Sequence, residues 1–273
     1  MKSSETSPSN TPVCTLGCVF ALKQEAVGLL DLLPEAKMTI GNGVQYYETS
    51  WKRQHIVVAL SGIGEKKAAF VTESLLTIFR PQWLLSAGFA GALAPTLKKG
   101  QILAPDLLIH DTTGERMRLV PQELPAPDPS RVSDPPAFSQ EYPAGLPNTG
   151  RFKRGTLLTT HKVVDTPEEK RRLADYYNAD CVDMETWAVA QVCRRYEVPF
   201  LAVRAILDTQ NRRLAKEVKT ITASHQQSTA RLAGALFGAL VKRPSSFVDL
   251  YQLKEDALTT ADALGKAIVS LLN

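Results

Sequence analysis

The stretch from residue 180 to residue 213 constrains the fold most, because its hydrophobic pattern changes three times within a short span. Cys181-Val182-Asp183-Met184 reads as a short strand, residues 186–193 as a helix with one apolar stripe, and residues 199–207 as a buried strand. Acids fall where these strands end, Glu185 after the first and Asp208 after the second. In an open α/β sheet the crevice outside the carboxyl ends of the strands is the usual ligand site, so Glu185 and Asp208 are expected to face one pocket.

The same alternation runs through the rest of the chain. Residues 15–22 read as a buried first strand, followed by a helix with Glu25 near its start, where the macrodipole favours an acid, and Pro34 at its end. Residues 44–51 and 55–60 pair antiparallel across the turn Lys52-Arg53-Gln54. Ser61-Gly62-Ile63-Gly64 then turns into a helix over 65–79, and a strand over 83–87 runs into a small-residue loop, Gly88-Phe89-Ala90-Gly91-Ala92-Leu93. Such corners let backbone N–H groups approach a ligand closely. Short strands at 102–104 and 107–110 precede an interval, 112–148, whose eight prolines argue against regular structure. The sheet pattern resumes at 155–160, and Thr166-Pro167-Glu168-Glu169 reads as a capping box opening a helix. Beyond Asp208 a helical pattern covers 214–240, breaks at Pro244 and resumes over 255–272, with Leu258, Ala261, Leu264, Ile268, Leu271 and Leu272 on its apolar face. Residues 1–12 are expected to be a disordered tail, and 13–273 one domain with a Pro-rich insertion at about 112–150.

Composition narrows the function classes. With 273 residues, 44% hydrophobic and 22% charged, the chain can bury one large core. Its 32 basic and 28 acidic residues leave a net charge of +4 with no basic stripe, so nucleic acid is not implied. No apolar signal core opens the chain, and no run approaches the roughly 18 apolar residues of a membrane span; a cytoplasmic protein with no membrane partner is expected. Cys14, Cys18, Cys181 and Cys193 form no CxxC pair and the four histidines add no zinc-ligand spacing, so reduced, buried thiols and no metal are expected. His110 and His161 read as loop or core residues, Trp187 and Phe200 as core, and Asp183 as a strand-end acid that caps or pairs.

Taken in order, several of these blocks resemble the purine nucleoside phosphorylase and nucleosidase superfamily (phosphorylase family 1), above all its 5′-methylthioadenosine/S-adenosylhomocysteine nucleosidase branch. The resemblance covers about residues 15–241 and is carried by 17–27, by Ser61-Gly62-Ile63-Gly64, by 86–100, by Val182-Asp183-Met184-Glu185 and by Arg204-Ala205-Ile206-Leu207-Asp208. It implies a single α/β domain with a central mixed, twisted β-sheet flanked by helices, and cleavage of an N-glycosidic bond through a ribosyl cation and a departing purine. By resemblance, Asp208 donates a proton to the base and Glu25 activates the attacking water. Glu185 accepts hydrogen bonds from the sugar hydroxyls and Met184 packs on the sugar, while Gly88, Phe89, Val163 and Arg204 complete the substrate-binding positions. A small-molecule nucleoside is the partner implied, together with a homo-oligomer, a dimer favoured, to which Trp51, Phe79 or the Pro-rich interval contributes. No cofactor is implied; phosphate enters as co-substrate only if the chain is a phosphorylase.

Two positions depart from that pattern. Phe89 stands where the glycine loop usually carries a small hydroxyl residue, and Leu207 where the acid's neighbour is usually Ser. Leu207 removes an orienting hydrogen bond and surrounds Asp208 with a more apolar environment, which raises a carboxyl pKa. No Arg lies in the first glycine loop or near Glu25 to clamp phosphate bidentately. The sequence therefore reads first as a purine nucleosidase acting on a 5′-modified adenine nucleoside. Second is a purine nucleoside phosphorylase accepting a bulky 5′ substituent, and third a catalytically weak nucleoside-binding protein.

Overall fold

The computed structural model describes residues 14–52, 54–119, 152–213 and 245–272. The expected disordered tail, most of the Pro-rich interval, the 214–240 helical pattern and the break at Pro244 lie outside the described residues.

The sheet is built around β5 (Trp83–Ala92). On one edge it pairs parallel with β11 (Phe200–Asp208) from Leu84 to Gly91. Residues Trp83 to Ser86 also pair parallel with β1 (Cys14–Phe20), and Gly91 and Ala92 pair antiparallel with β10 (Cys181–Asp183). Because Ser86 and Gly91 each pair with β11 as well, β1 and β10 must share the opposite edge of β5. Outward from β1 lie β4 (Gln54–Leu60), β3 (Val44–Trp51) and β2 (Lys37–Gly41); outward from β10 lie β9 (Thr156–Thr159), β7 (Leu107–His110) and β8 (Arg116–Arg118). The two-residue β6 (Ile102–Leu103) pairs antiparallel with β11. Parallel and antiparallel ladders coexist, so the sheet is mixed, as expected.

Strand alternation sorts the apolar residues onto two faces. Leu84, Ala90, Phe200, Ala202 and Ile206 face a cluster with α2 (Glu65–Phe79) and α4 (Thr186–Arg195). Leu85, Ala87, Leu201, Val203 and Ala205 face a second cluster with α1 (Lys23–Leu30) and α5 (Ser245–Leu271). A third, smaller cluster gathers Ile109, Leu158 and Val182 under α3 (Pro167–Tyr177). Thr166 caps α3 as expected, its hydroxyl accepting from the Glu169 N–H at 3.2 Å.

Several boundaries differ from the sequence reading. The glycine-rich residues 88–92 are not a loop: pairing to β11 on one edge and β10 on the other carries β5 through them despite poor strand propensity. β2 carries no inward apolar alternation and is held at the edge by pairing to β3, with Thr39 donating to Glu48 at 2.7 Å. β8 forms inside the start of the Pro-rich interval by pairing with β7, before the first of its prolines. α5 begins at Ser245, ten residues earlier than the apolar stripe suggests. Phe79, offered as an oligomer contact, turns inward, edge-on to Tyr46 at 4.9 Å.

Candidate active site

The chemistry gathers where β1 and β10 end. β1 runs toward the middle of β5 from one side and β10 from the other, so their carboxyl ends approach each other across β5 residues 87–90, which neither strand pairs. A strand edge left open in this way carries backbone groups that need other partners. Glu25 supplies one: the Phe89 N–H donates to its Oε1 at 2.9 Å. Its Oε2 accepts from the Leu22 N–H at 2.8 Å, so the same carboxylate caps α1 and bridges to the sheet. Both sequence readings of Glu25, helix-start acid and site residue, therefore describe one geometry. A Cβ on Gly88 would stand 2.9 Å from Glu25 Oε1, so this position needs glycine to admit the carboxylate. Burial pushes the Glu25 carboxyl up, opposed by the Phe89 and Leu22 N–H groups and by the Arg204 charge.

Glu185 arrives from the opposite side, at the N-terminus of α4. The Gly64 N–H, at the strand-to-helix corner before α2, donates to its Oε1 at 2.7 Å, and the Met184 N–H to its Oε2 at 3.3 Å. Its carboxyl is pushed up to about 8, first by burial, then by the neighbouring Asp183 and Glu25 charges. Glu25 and Glu185 line one small cavity with Ser61, Gly88, Phe89 and Arg204.

Arg204 lines the cavity and is paired with Asp183. Arg204 is 2% exposed and its guanidinium is saturated. Nε and Nη2 donate to Asp183 Oδ2 at 3.1 and 3.0 Å, Nη1 to the Ser86 and Val203 carbonyls at 2.9 Å each, and Nη2 also to Ser86 Oγ at 2.7 Å. Asp183 accepts further from Thr159 Oγ1 at 2.8 Å and the Thr186 N–H at 3.0 Å, so it both caps α4 and pairs, as its position suggests. Arg204 thus reaches the cavity as a fixed positive charge rather than as a free clamp.

Asp208 does not line this small cavity; it lies across β5, with its Oδ1 and Val182 Cγ1 of β10 both beside Gly91. β10 and β11 flank opposite edges of β5, and Glu185 shares the cavity with Glu25. A bulge at Leu207 sets Asp208, not Leu207, opposite Gly91. Asp208 is buried, its carboxyl raised by that burial and drawn back by Lys170 and Arg212. Met184 and Val163 are half-buried and outside the residues lining the cavity. His110 stacks on Trp187 at 5.5 Å and pairs with Glu65 at 3.2 Å, while His161 sits near Asp111 on the surface; neither lines the cavity.

The sequence reading placed Ser61 and Ser86 at the start of two motif blocks without giving either a role at the site, and it missed Lys170. A signal for Lys170 existed: it occupies the same helical face as Leu173, Ala174 and Tyr177, which pack inward. A charged residue on an apolar stripe asks for a buried partner.

A mixed α/β sheet with carboxylates gathered at strand ends defines a protein that binds a small polar molecule in a crevice of its sheet. The family model for the phosphorylase superfamily matches residues 15–243, and the chain belongs to that superfamily. Among relatives, a 5′-methylthioadenosine/S-adenosylhomocysteine nucleosidase of Staphylococcus aureus is 27% identical over 198 residues, covering 72% of this chain and 87% of the relative. Among solved structures, the corresponding nucleosidase of Campylobacter jejuni superposes with a TM-score of 0.63 at 18% identity, covering 95% of this chain and 98% of that one. The futalosine hydrolase of Helicobacter pylori, solved as a mutant, gives 0.61 at 21% identity, with 95% and 100% covered. These structures share the fold.

Proposed function

We propose that the chain is a purine nucleosidase that hydrolyses the N-glycosidic bond of a 5′-modified adenine nucleoside. The observation that carries this reading is the pair of carboxylates, Glu25 and Glu185, brought to one cavity from opposite ends of the open edge of β5. In the proposed reaction a water oxygen bonds to the anomeric carbon as the carbon–nitrogen bond to the base breaks. Glu25 takes a proton from that water; burial raises its carboxyl, the direction that strengthens a carboxylate as a base. Glu185, fixed by Gly64, accepts from the sugar hydroxyls, and Asp208 delivers a proton to the departing purine. Burial raises the Asp208 carboxyl, which a general acid requires.

Water is favoured over phosphate as the nucleophile because, among the described residues, the arginine lining the cavity has its donors engaged by protein acceptors. Phosphate recognition calls for a free guanidinium fork. The names of the S. aureus and C. jejuni relatives agree with a methylthioadenosine-like substrate. We further read the protein as cytoplasmic and dimeric. The buried free thiols of Cys18, Cys181 and Cys193 fit a reducing compartment, and Met38 and Ile40, 51% and 68% exposed on edge strand β2, offer apolar contacts for a second copy.

Adenine release from 5′-methylthioadenosine in phosphate-free buffer tests the reading. Wild type releases adenine, and Glu25→Gln and Asp208→Asn each lower kcat by about 10²- to 10⁴-fold. Release that stops without phosphate points to the phosphorylase reading, and ligand binding without release to the nucleoside-binding one.

A further inference from the structure

Lys170 is 0% exposed, an unusual place for an ammonium group. Its three N–H donors are all used: one meets Asp208 Oδ2 in a buried ion pair, and the others reach the Thr209 carbonyl at 2.9 Å and the Arg212 carbonyl at 3.0 Å. Three acceptors around a tetrahedral nitrogen leave the side chain no alternative direction. Lys170 thus holds the carboxyl of Asp208 through Oδ2. Among the described residues no donor meets Oδ1, which lies over Gly91, where a Cβ would stand 3.3 Å away. The residue before Asp208 is Leu207, whose side chain has no donor to offer, and the bulge at that point re-aims Asp208, setting it opposite Gly91.

We propose that Lys170 is the positioning residue of the proton-donating carboxyl: from α3 it fixes Oδ2 of Asp208, so that Oδ1 is the oxygen presented to the departing base. The proposal rests on the nucleosidase reading above. By binding the Thr209 and Arg212 carbonyls, the same ammonium also ties the segment after β11 to α3, so the orientation of the acid and the course of the chain beyond it are set together. Among the described residues, the charges acting on Asp208 are Lys170 and Arg212, and Arg212 is itself paired with Asp256 of α5.

The test compares Lys170→Met, Lys170→Gln and wild type in pH profiles of adenine release, with near-UV circular dichroism to confirm folding. Loss of the ammonium lets the Asp208 carboxyl rise, so the alkaline limb, where the acid gives up its proton, moves to higher pH by about a unit. At the same time kcat falls by about 10- to 100-fold while KM changes by less than about threefold. Lys170→Gln keeps a donor for the carbonyls without the charge, and its limb moves to higher pH by about a unit, which decides the test where the Met variant fails to fold. An unmoved limb in the Gln variant, or a loss confined to KM, overturns the proposal. The nucleosidase reading fails separately, through a wild type that releases no base or an Asp208→Asn variant that retains full rate.

Discussion

At the scale of single residues, Glu185 is the group whose protonation bears most directly on binding. A carboxylate accepts from two hydroxyls only when ionised. With its carboxyl pushed up to about 8, the nucleoside is expected to bind more tightly as pH rises from 6 to 9, with KM falling across that window. Glu185→Gln raises KM and flattens this dependence, which initial rates at a series of pH values will show. The same shift has a consequence for stability. The group holds its proton more tightly in the folded chain than at its ordinary value of 4.5, so its contribution is present below 4.5 and is lost as pH rises toward 8. Glu185→Gln therefore raises the melting temperature at pH 8.5 relative to wild type more than at pH 5. The types and places of Glu25, Glu185 and Asp208 were legible in the sequence because acids at strand and helix ends stand out. Lys170 was not read, because its partner lies 38 residues away on another element. Phe89 shows why a side-chain departure can mislead: its contribution to Glu25 is a backbone N–H, and the ring packs against the second core cluster.

At the scale of elements, the site depends on how α1 is seated. α1 crosses α5 with backbones in direct contact: a Cβ on Gly28 would collide with the Ala261 carbonyl, and one on Gly265 with the Gly28 carbonyl. Small residues allow that approach, and Glu25 sits one turn before the crossing. Gly28→Ala is expected to cost about 1–3 kcal/mol by overpacking, read as a lower urea midpoint. It also lowers kcat more than it raises KM, because α1 shifts and carries Glu25 off the Phe89 N–H. A variant with wild-type stability and rate would show that the crossing does not seat the carboxylate. Periodicity revealed α1, α2, α4 and β11 well, since each buries one stripe or a whole run. It misread residues 88–92, where pairing on both edges overrides glycine's weak strand preference, and it missed β2, whose exposed edge has no inward pattern to read.

At the scale of the molecule, the sheet is covered on both faces, and α5 closes the second one with Leu264, Ile268 and Leu271 against β11 and β5. A chain ending at residue 244 exposes that face and is expected to lose near-UV circular dichroism and cooperative unfolding; a folded, active truncation would remove α5 from the core. The sequence alone determined the class of fold, the residue types of the site and the run of strands and helices, because burial periodicity and strand-end acids are local properties. Only the tertiary structure decided which acids share a cavity. That grouping depends on β1 and β10 lying on one edge of β5 with β11 on the other, a matter of strand order that no local pattern encodes. It also decided that Arg204 is a fixed charge and that Lys170 holds Asp208, since buried ionic groups take their roles from partners brought together by folding.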